Sequence, residues 1–99
     1  MTVNTIPFDA MAHLDQEDHI DLLNDALATG NSDVVIRIVG EIARARGMSN
    51  VARDSDLGRS TLYKALADNA NPTISTFLRV LAALQIDLHA QRAGELETA

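Results

Sequence analysis

In the stretch MSNVARDSDLGRSTLYKAL, Met48 to Leu66, three cations, Arg53, Arg59 and Lys64, gather with hydroxyl side chains that include Ser49, Ser60, Thr61 and Tyr63. Interleaved cations and hydroxyls suit nucleic acid. The cations neutralise phosphates, and the shorter donors reach base edges in the major groove. The spacing suggests two short helices folded across a tight turn. Such a hairpin needs a small residue at the helix crossing, a turn residue tolerant of left-handed geometry, and a polar outer face on its second helix. Ala52 is small, Asp56 has a short side chain that accepts the left-handed conformation, and Leu57 and Leu62 plug the hairpin onto a core. A reading helix enters the groove by its N-terminal end, so Ser60, Thr61 and Lys64 are the candidates for base edges. Arg59 and Tyr63 are assigned to phosphates, with guanine a further target for Arg59. Arg53, and a helix N-terminus capped by Ser49, add backbone contacts. An ordinary solvated helix face would carry the same residues, and the Tyr63 ring would equally serve to cover the core.

These cations sit in a chain whose formal net charge is -6. The charge is unevenly spread. Residues 1–33 hold seven acids, among them Asp15, Glu17, Asp18, Asp21 and Asp25, and no Lys or Arg. Residues 34–79 hold seven bases against four acids, a net charge of +3. An acidic front end therefore lies beside a mildly basic centre.

Other chemistry has little footing. There is no cysteine, which excludes disulfides and thiolate metal sites. His13, His19 and His89 are scattered without ligand spacing and read as surface imidazoles. No nucleophile–base pair and no Gly-rich phosphate loop is present, so an enzyme is the least favoured class and no cofactor is expected. Asp54 and Asp56 are paired carboxylates on paper, but a helix end and a turn explain them. No apolar run is long enough to cross a bilayer, and Met1 to Phe8 lacks a basic n-region. A cytoplasmic protein is expected.

The elements that must position the hairpin follow from the rest of the pattern. A chain of 99 residues suits one compact domain, and 46% hydrophobic with 3% aromatic residues favours an all-α core of Leu, Ile, Val and Ala. Pro7 keeps the first residues extended. Asp15 caps a helix to about Thr29, with Ile20, Leu23 and Leu27 as its apolar stripe and Gly30 as its stop. Asn31 or Ser32 starts a second helix, Asp33 to Arg46, burying Val35, Ile38, Val39 and Ile42. The hairpin helices span about Asn50 to Ser55 and Arg59 to Leu66. After the turn chemistry of DNANP, Thr73 caps a fifth helix to about Leu84, with Ile74, Phe77, Leu78, Leu81 and Leu84 inward. Ile86, Leu88 and Ala90 alternate with Asp87 and His89, which fits a short C-terminal strand. The organisation is an acidic extension over residues 1–30, a helix-turn-helix domain over 31–90 and a polar tail over 91–99.

The segments ARDSDLGRSTLYKAL and NPTISTFLRVLAALQIDL together resemble the Cro/lambda-repressor-like helix-turn-helix superfamily. With FDAMAHLDQEDHIDLLNDAL and IARARGMSNVARDSDLGRSTLYKAL, nearly the whole chain resembles the small addiction-module antidote proteins related to HigA. The resemblance implies a five-helix lambda-repressor-like domain with an N-terminal helical extension. It also implies neutralisation of a small basic RelE/HigB-like ribonuclease toxin, repression of the shared operon through double-stranded operator DNA, and a homodimer. The recognition helix would be Arg59 to Leu66. The chain departs from the pattern at Asp56 and Gln85, where glycine is usual, at Gly58, where a Ser cap is usual, and in a first hairpin helix that is shortened.

A ribonuclease must bind polyanionic RNA, so its active surface should be basic. The acids at Asp15, Glu17, Asp18, Asp21 and Asp25 would complement that surface and steer association. Equally, they would serve solubility and helix stabilisation. One recognition helix per chain suggests a two-fold dimer over successive major grooves, about 34 Å apart. Ile86, Leu88 and Ala90 are the candidate dimer interface unless that segment folds back onto the core. A stand-alone repressor without a toxin, and an interaction module that has lost DNA binding, are the rival readings.

Overall fold

A computed structural model describes residues 15–94 of the chain. The segment expected to be extended before Asp15, His13 and the tail beyond Gly94 lie outside the described residues. Five helices follow in order: α1 Gln16–Ala28, α2 Ser32–Arg46, α3 Met48–Ser55, α4 Arg59–Ala65 and α5 Ile74–Ala83. The protein is all-helical, and there is no strand among the described residues.

Three helix starts follow the sequence closely. The Asp18 amide donates to Asp15 Oδ1 at 2.9 Å and the Asp15 amide donates to Asp18 Oδ2 at 3.3 Å, a reciprocal capping box. Asn31 Oδ1 accepts from the Asp33 amide at 2.9 Å and caps α2. Thr73 Oγ1 accepts from the Thr76 amide at 3.1 Å and caps α5. The start of α3 differs. It begins at Met48 with Gly47 as its cap and no side-chain bond, so Ser49 lies inside the first turn and is exposed. Gly47 ends α2 and starts α3 at φ 96°, and a Cβ there would meet Asn50 Nδ2 at 3.1 Å. A single residue makes this joint because glycine accepts that geometry.

One core joins all five helices. Leu22 and Leu23 of α1 pack with Ile38 and Ile42 of α2, Val51 of α3, Leu62 of α4 and Leu81 of α5. The acidic first helix therefore shares the core of the hairpin it accompanies. Several side chains lie elsewhere than expected. His19 is buried, not a surface imidazole, and Leu27 is exposed. Val35 is only half-buried, while Ile36 is buried. On α5, Ile74 and Leu78 are exposed and Val80 takes the inward place.

The C-terminal strand is absent, and the end of α5 explains why. Gln85 adopts a left-handed φ of 61°. The Gln85 amide donates to the Ala82 carbonyl at 3.0 Å and the Ile86 amide to the Leu81 carbonyl at 2.9 Å. This paired closure is a Schellman motif, which ends a helix and turns the next apolar residue inward. Ile86 is accordingly buried at 5% exposure, and residues 87–92 run on without regular structure.

Candidate nucleic-acid interface and acidic partner face

Helices α3 and α4 form the expected hairpin. Asp56 turns it with φ 58° and ψ 28°, the left-handed geometry that most residues resist. Ser55 is buried at the bend, where its hydroxyl donates to the Ala52 carbonyl at 3.2 Å and accepts from the Leu57 amide at 3.4 Å. Ala52 is buried, Leu57 half-buried, and Leu62 fully enclosed. Gly58 begins α4 with no side-chain cap bond.

Leu62 anchoring fixes which way the rest of α4 faces. At 3.6 residues per turn, Ser60 and Lys64 project away from the core, with Arg59 and Tyr63 on one flank and Thr61 on the other. All five are exposed. The Arg59 guanidinium lies 5.9 Å from the Tyr63 ring centre, so the two side chains form a joint cationic and aromatic surface. Arg53 of α3 is exposed and pairs with its neighbour Asp54 at 3.1 Å, which offsets part of its charge. Arg79 of α5 approaches Asp56 at 3.9 Å, a long and solvated contact that adds little. The structure thus brings Arg59, Ser60, Thr61, Tyr63 and Lys64 together on one short helix. Arg53 and Ser49 belong to the preceding helix, and Ser49 does not cap it.

The five acids assigned to a partner divide in two. Asp15 and Asp18 are tied to each other in the α1 cap, where the amide bond donated by Asp18 holds the Asp15 carboxyl below the ordinary aspartate range. Glu17, Asp21 and Asp25 stand exposed along the outer side of α1. Beside them runs a feature that sequence periodicity did not show. A groove of about 960 Å³ separates α1 from the segment after Gln85, with Ile20, Leu23, Leu27, Ile86 and Leu88 among its lining residues. Leu27 and Leu88 are 37% and 43% exposed along it. The signal that could have found it was the apolar character of both residues in two stretches rich in polar neighbours. Of the residues assigned to a dimer interface, Ile86 is closed into the protomer core, whereas Leu88 and Ala90 are exposed.

Among the described residues, no group of His, Asp or Glu is placed to hold a metal ion, and no helix is long and apolar enough to cross a membrane. With this geometry in place, comparison with known proteins is decisive at the family level. A family model described as "Probable addiction module antidote protein" matches residues 4–92. The chain belongs to this addiction-module antidote family. An "Uncharacterized protein" of Haemophilus influenzae (strain Rd) is 40% identical over 94 residues, covering 94% of this chain and 97% of that relative. No solved structure matches. The span matched to the antidote family takes in α1, the hairpin, α5 and the groove-lining segment as far as Arg92.

Proposed function

We propose that this chain is the antitoxin of a type II toxin–antitoxin module. In this reading it binds and neutralises a small basic ribonuclease toxin of the RelE/HigB type through its acidic first helix. It represses its own operon by binding operator DNA, as a cytoplasmic homodimer, through the α3–α4 hairpin in the lambda-repressor-like manner. It is a regulator and not an enzyme. The observation that supports DNA reading most directly is α4 itself. Leu62 is enclosed in the core while every polar candidate from Arg59 to Lys64 faces out. Membership of the antidote family supports the toxin half of the reading.

The roles divide by position. Ser60 and Lys64 at the crest of α4, with Thr61, address base edges. Arg59 and Tyr63 hold phosphates from the flank, and Arg53 contributes from α3. Ser49 and Arg53 stand near the start and end of α3, the helix that would cross the DNA backbone. Two such hairpins related by a two-fold axis would occupy successive major grooves.

The test is fluorescence anisotropy with the duplex lying upstream of the chain's own gene, over a series of salt concentrations. The chain is expected to bind it in preference to random duplex, with log K falling linearly against log salt. Replacing Arg59 and Lys64 with Ala should flatten that slope by about 1 to 2. Equal affinity for every duplex would remove the repressor half of the proposal. In parallel, expression of the adjoining reading frame alone should arrest growth, and co-expression of this chain should relieve it. A harmless neighbour would leave a stand-alone helix-turn-helix repressor as the better reading.

A further inference from the structure

We infer that the groove between α1 and the segment after Gln85 is the seat of the partner protein, and that it receives a basic amphipathic segment of that partner. This rests on the antitoxin reading and locates its contact surface. The floor is apolar, with Ile20, Leu23 and Ile86 below the half-open edges of Leu27 and Leu88. Aliphatic edges left open on both walls of one groove are shaped for apolar anchors from another chain.

Charge decides the occupant. Glu17, Asp21, Asn24 and Ala28 recur at i, i+4, i+7 and i+11 and make one stripe of α1, and its last two members line the groove. Glu17 and Asp21 therefore continue the same wall as exposed acids, and Asp87 lines the opposite wall. Arg92 and His89 are the basic side chains among the lining residues, both on the segment after Gln85. An apolar floor beside the acidic Glu17 and Asp21 shoulder of α1 fits a segment that presents apolar side chains downward and Lys or Arg toward that shoulder. A second copy docked by this same face about a two-fold axis would set the Glu17 and Asp21 shoulders against like charge. Residues 1–14 carry Asp9 and no Lys or Arg, so the chain's own N-terminus lacks the complementary charge. DNA would be repelled by the same acids. The hairpin remains clear of this face, because its helices pack on α2 and α5.

The experiment titrates the full-length chain with the purified product of the adjoining reading frame by calorimetry. It uses wild type, Leu88→Glu, the Glu17→Lys/Asp21→Lys double variant, and Leu78→Glu as a control on the exposed face of α5. Leu88→Glu is expected to weaken binding by about 30-fold or more, as loss of a central anchor does. The charge reversal should slow association about tenfold and reduce its salt dependence. Leu78→Glu should bind as wild type does. Hydrogen exchange on the wild-type complex covers the case in which a variant fails to fold. Protection gained at residues 20–28 and 86–92 is expected, and protection confined to other surfaces overturns the inference. Groove variants that bind like wild type overturn it while leaving the antitoxin reading intact. Variants that turn a dimer into a monomer yet keep the partner overturn it in favour of a second copy. Failure of the wild-type chain to bind overturns the antitoxin reading first and the groove assignment with it.

Discussion

The hairpin and the first helix carry opposite charge on one core, and they differ as much in finish as in sign. In the α3–α4 hairpin the apolar side chains are enclosed except for the half-buried Leu57, and the outward face is polar apart from the Tyr63 ring. Along α1 and the segment facing it, aliphatic side chains remain half in solvent between acids. A surface that meets DNA needs cations, donors and stiffness, since hydrated phosphates offer little to an aliphatic group. A surface that meets a protein gains from apolar anchors surrounded by charge. Under the proposed reading, the contrast teaches that two binding tasks can be separated on a small chain by what each face leaves uncovered.

The sharpest way to break the comparison is to truncate one leucine on each side. Leu62→Ala removes a fully enclosed side chain and should destabilise the protein by about 3 kcal/mol in urea unfolding, with loss of DNA binding. Leu27→Ala removes a side chain already 37% exposed and should cost less than about 1 kcal/mol. Equal losses would mean that Leu27 is core and that the groove has no open edge. Next in size, Arg59→Ala alone should weaken operator binding about tenfold while leaving the affinity for the adjoining gene product unchanged. A variant that lost both would show the two faces to be coupled.

Smaller effects test the turns that orient each region. Asp56 and Gln85 both hold positive φ without being glycine. Gln85→Gly relieves that strain and should stabilise the chain by about 0.5–1 kcal/mol, read as a shift of the urea midpoint. Asp56→Gly should gain less, since a short Asp side chain already accepts the left-handed conformation better than Gln does. The smallest expected effect concerns the α1 cap. The Asp15 carboxyl titrates below its ordinary value in the fold, mainly through the amide donated by Asp18. Its contribution is therefore complete above the unfolded value of about 3.9 and is lost as pH falls through the lower, folded value. Asp15→Asn keeps an acceptor but no charge, so its deficit against wild type should be visible at pH 7 and vanish at strongly acid pH. Thermal melts at both pH values measure it.

Much of this arrangement was legible because short-range chemistry decides it. Asp15, Asn31 and Thr73 cap helices with their own side chains, and Asp56 turns the hairpin with its own backbone. The failures lie where distant parts of the chain decide. Alternation from Ile86 to Ala90 looks like a strand, but the helix closure at Gln85 draws Ile86 into the core and leaves the rest without a neighbour to pair with. On α5 and its cap, large apolar residues occupy 74, 77, 78, 80, 81 and 84 and so surround most of the helix. Periodicity alone could not choose the inner face, and packing chose Val80 over Ile74 and Leu78. His19 is buried for a related reason, as its place beside Leu22 and Leu23 on the inward side of α1 outweighs its polarity. The α4 candidates are assembled as the spacing implied, and the groove was invisible because its walls come from the two ends of the sequence.

Those two walls meet at a latch. The Gln16 side-chain amide donates to the Gln85 carbonyl at 3.3 Å, bridging 69 positions, immediately before each wall begins. The spacing of the walls is thus referred to a point that no incoming chain need touch. Lengthening or shortening the residue at 16 would reset the gauge of the slot, as moving a hinge pin changes how far a door can open. If the groove is the partner's seat as inferred, selectivity among related partners would drift in this way, through a change at the pivot, while every residue lining the groove stays the same.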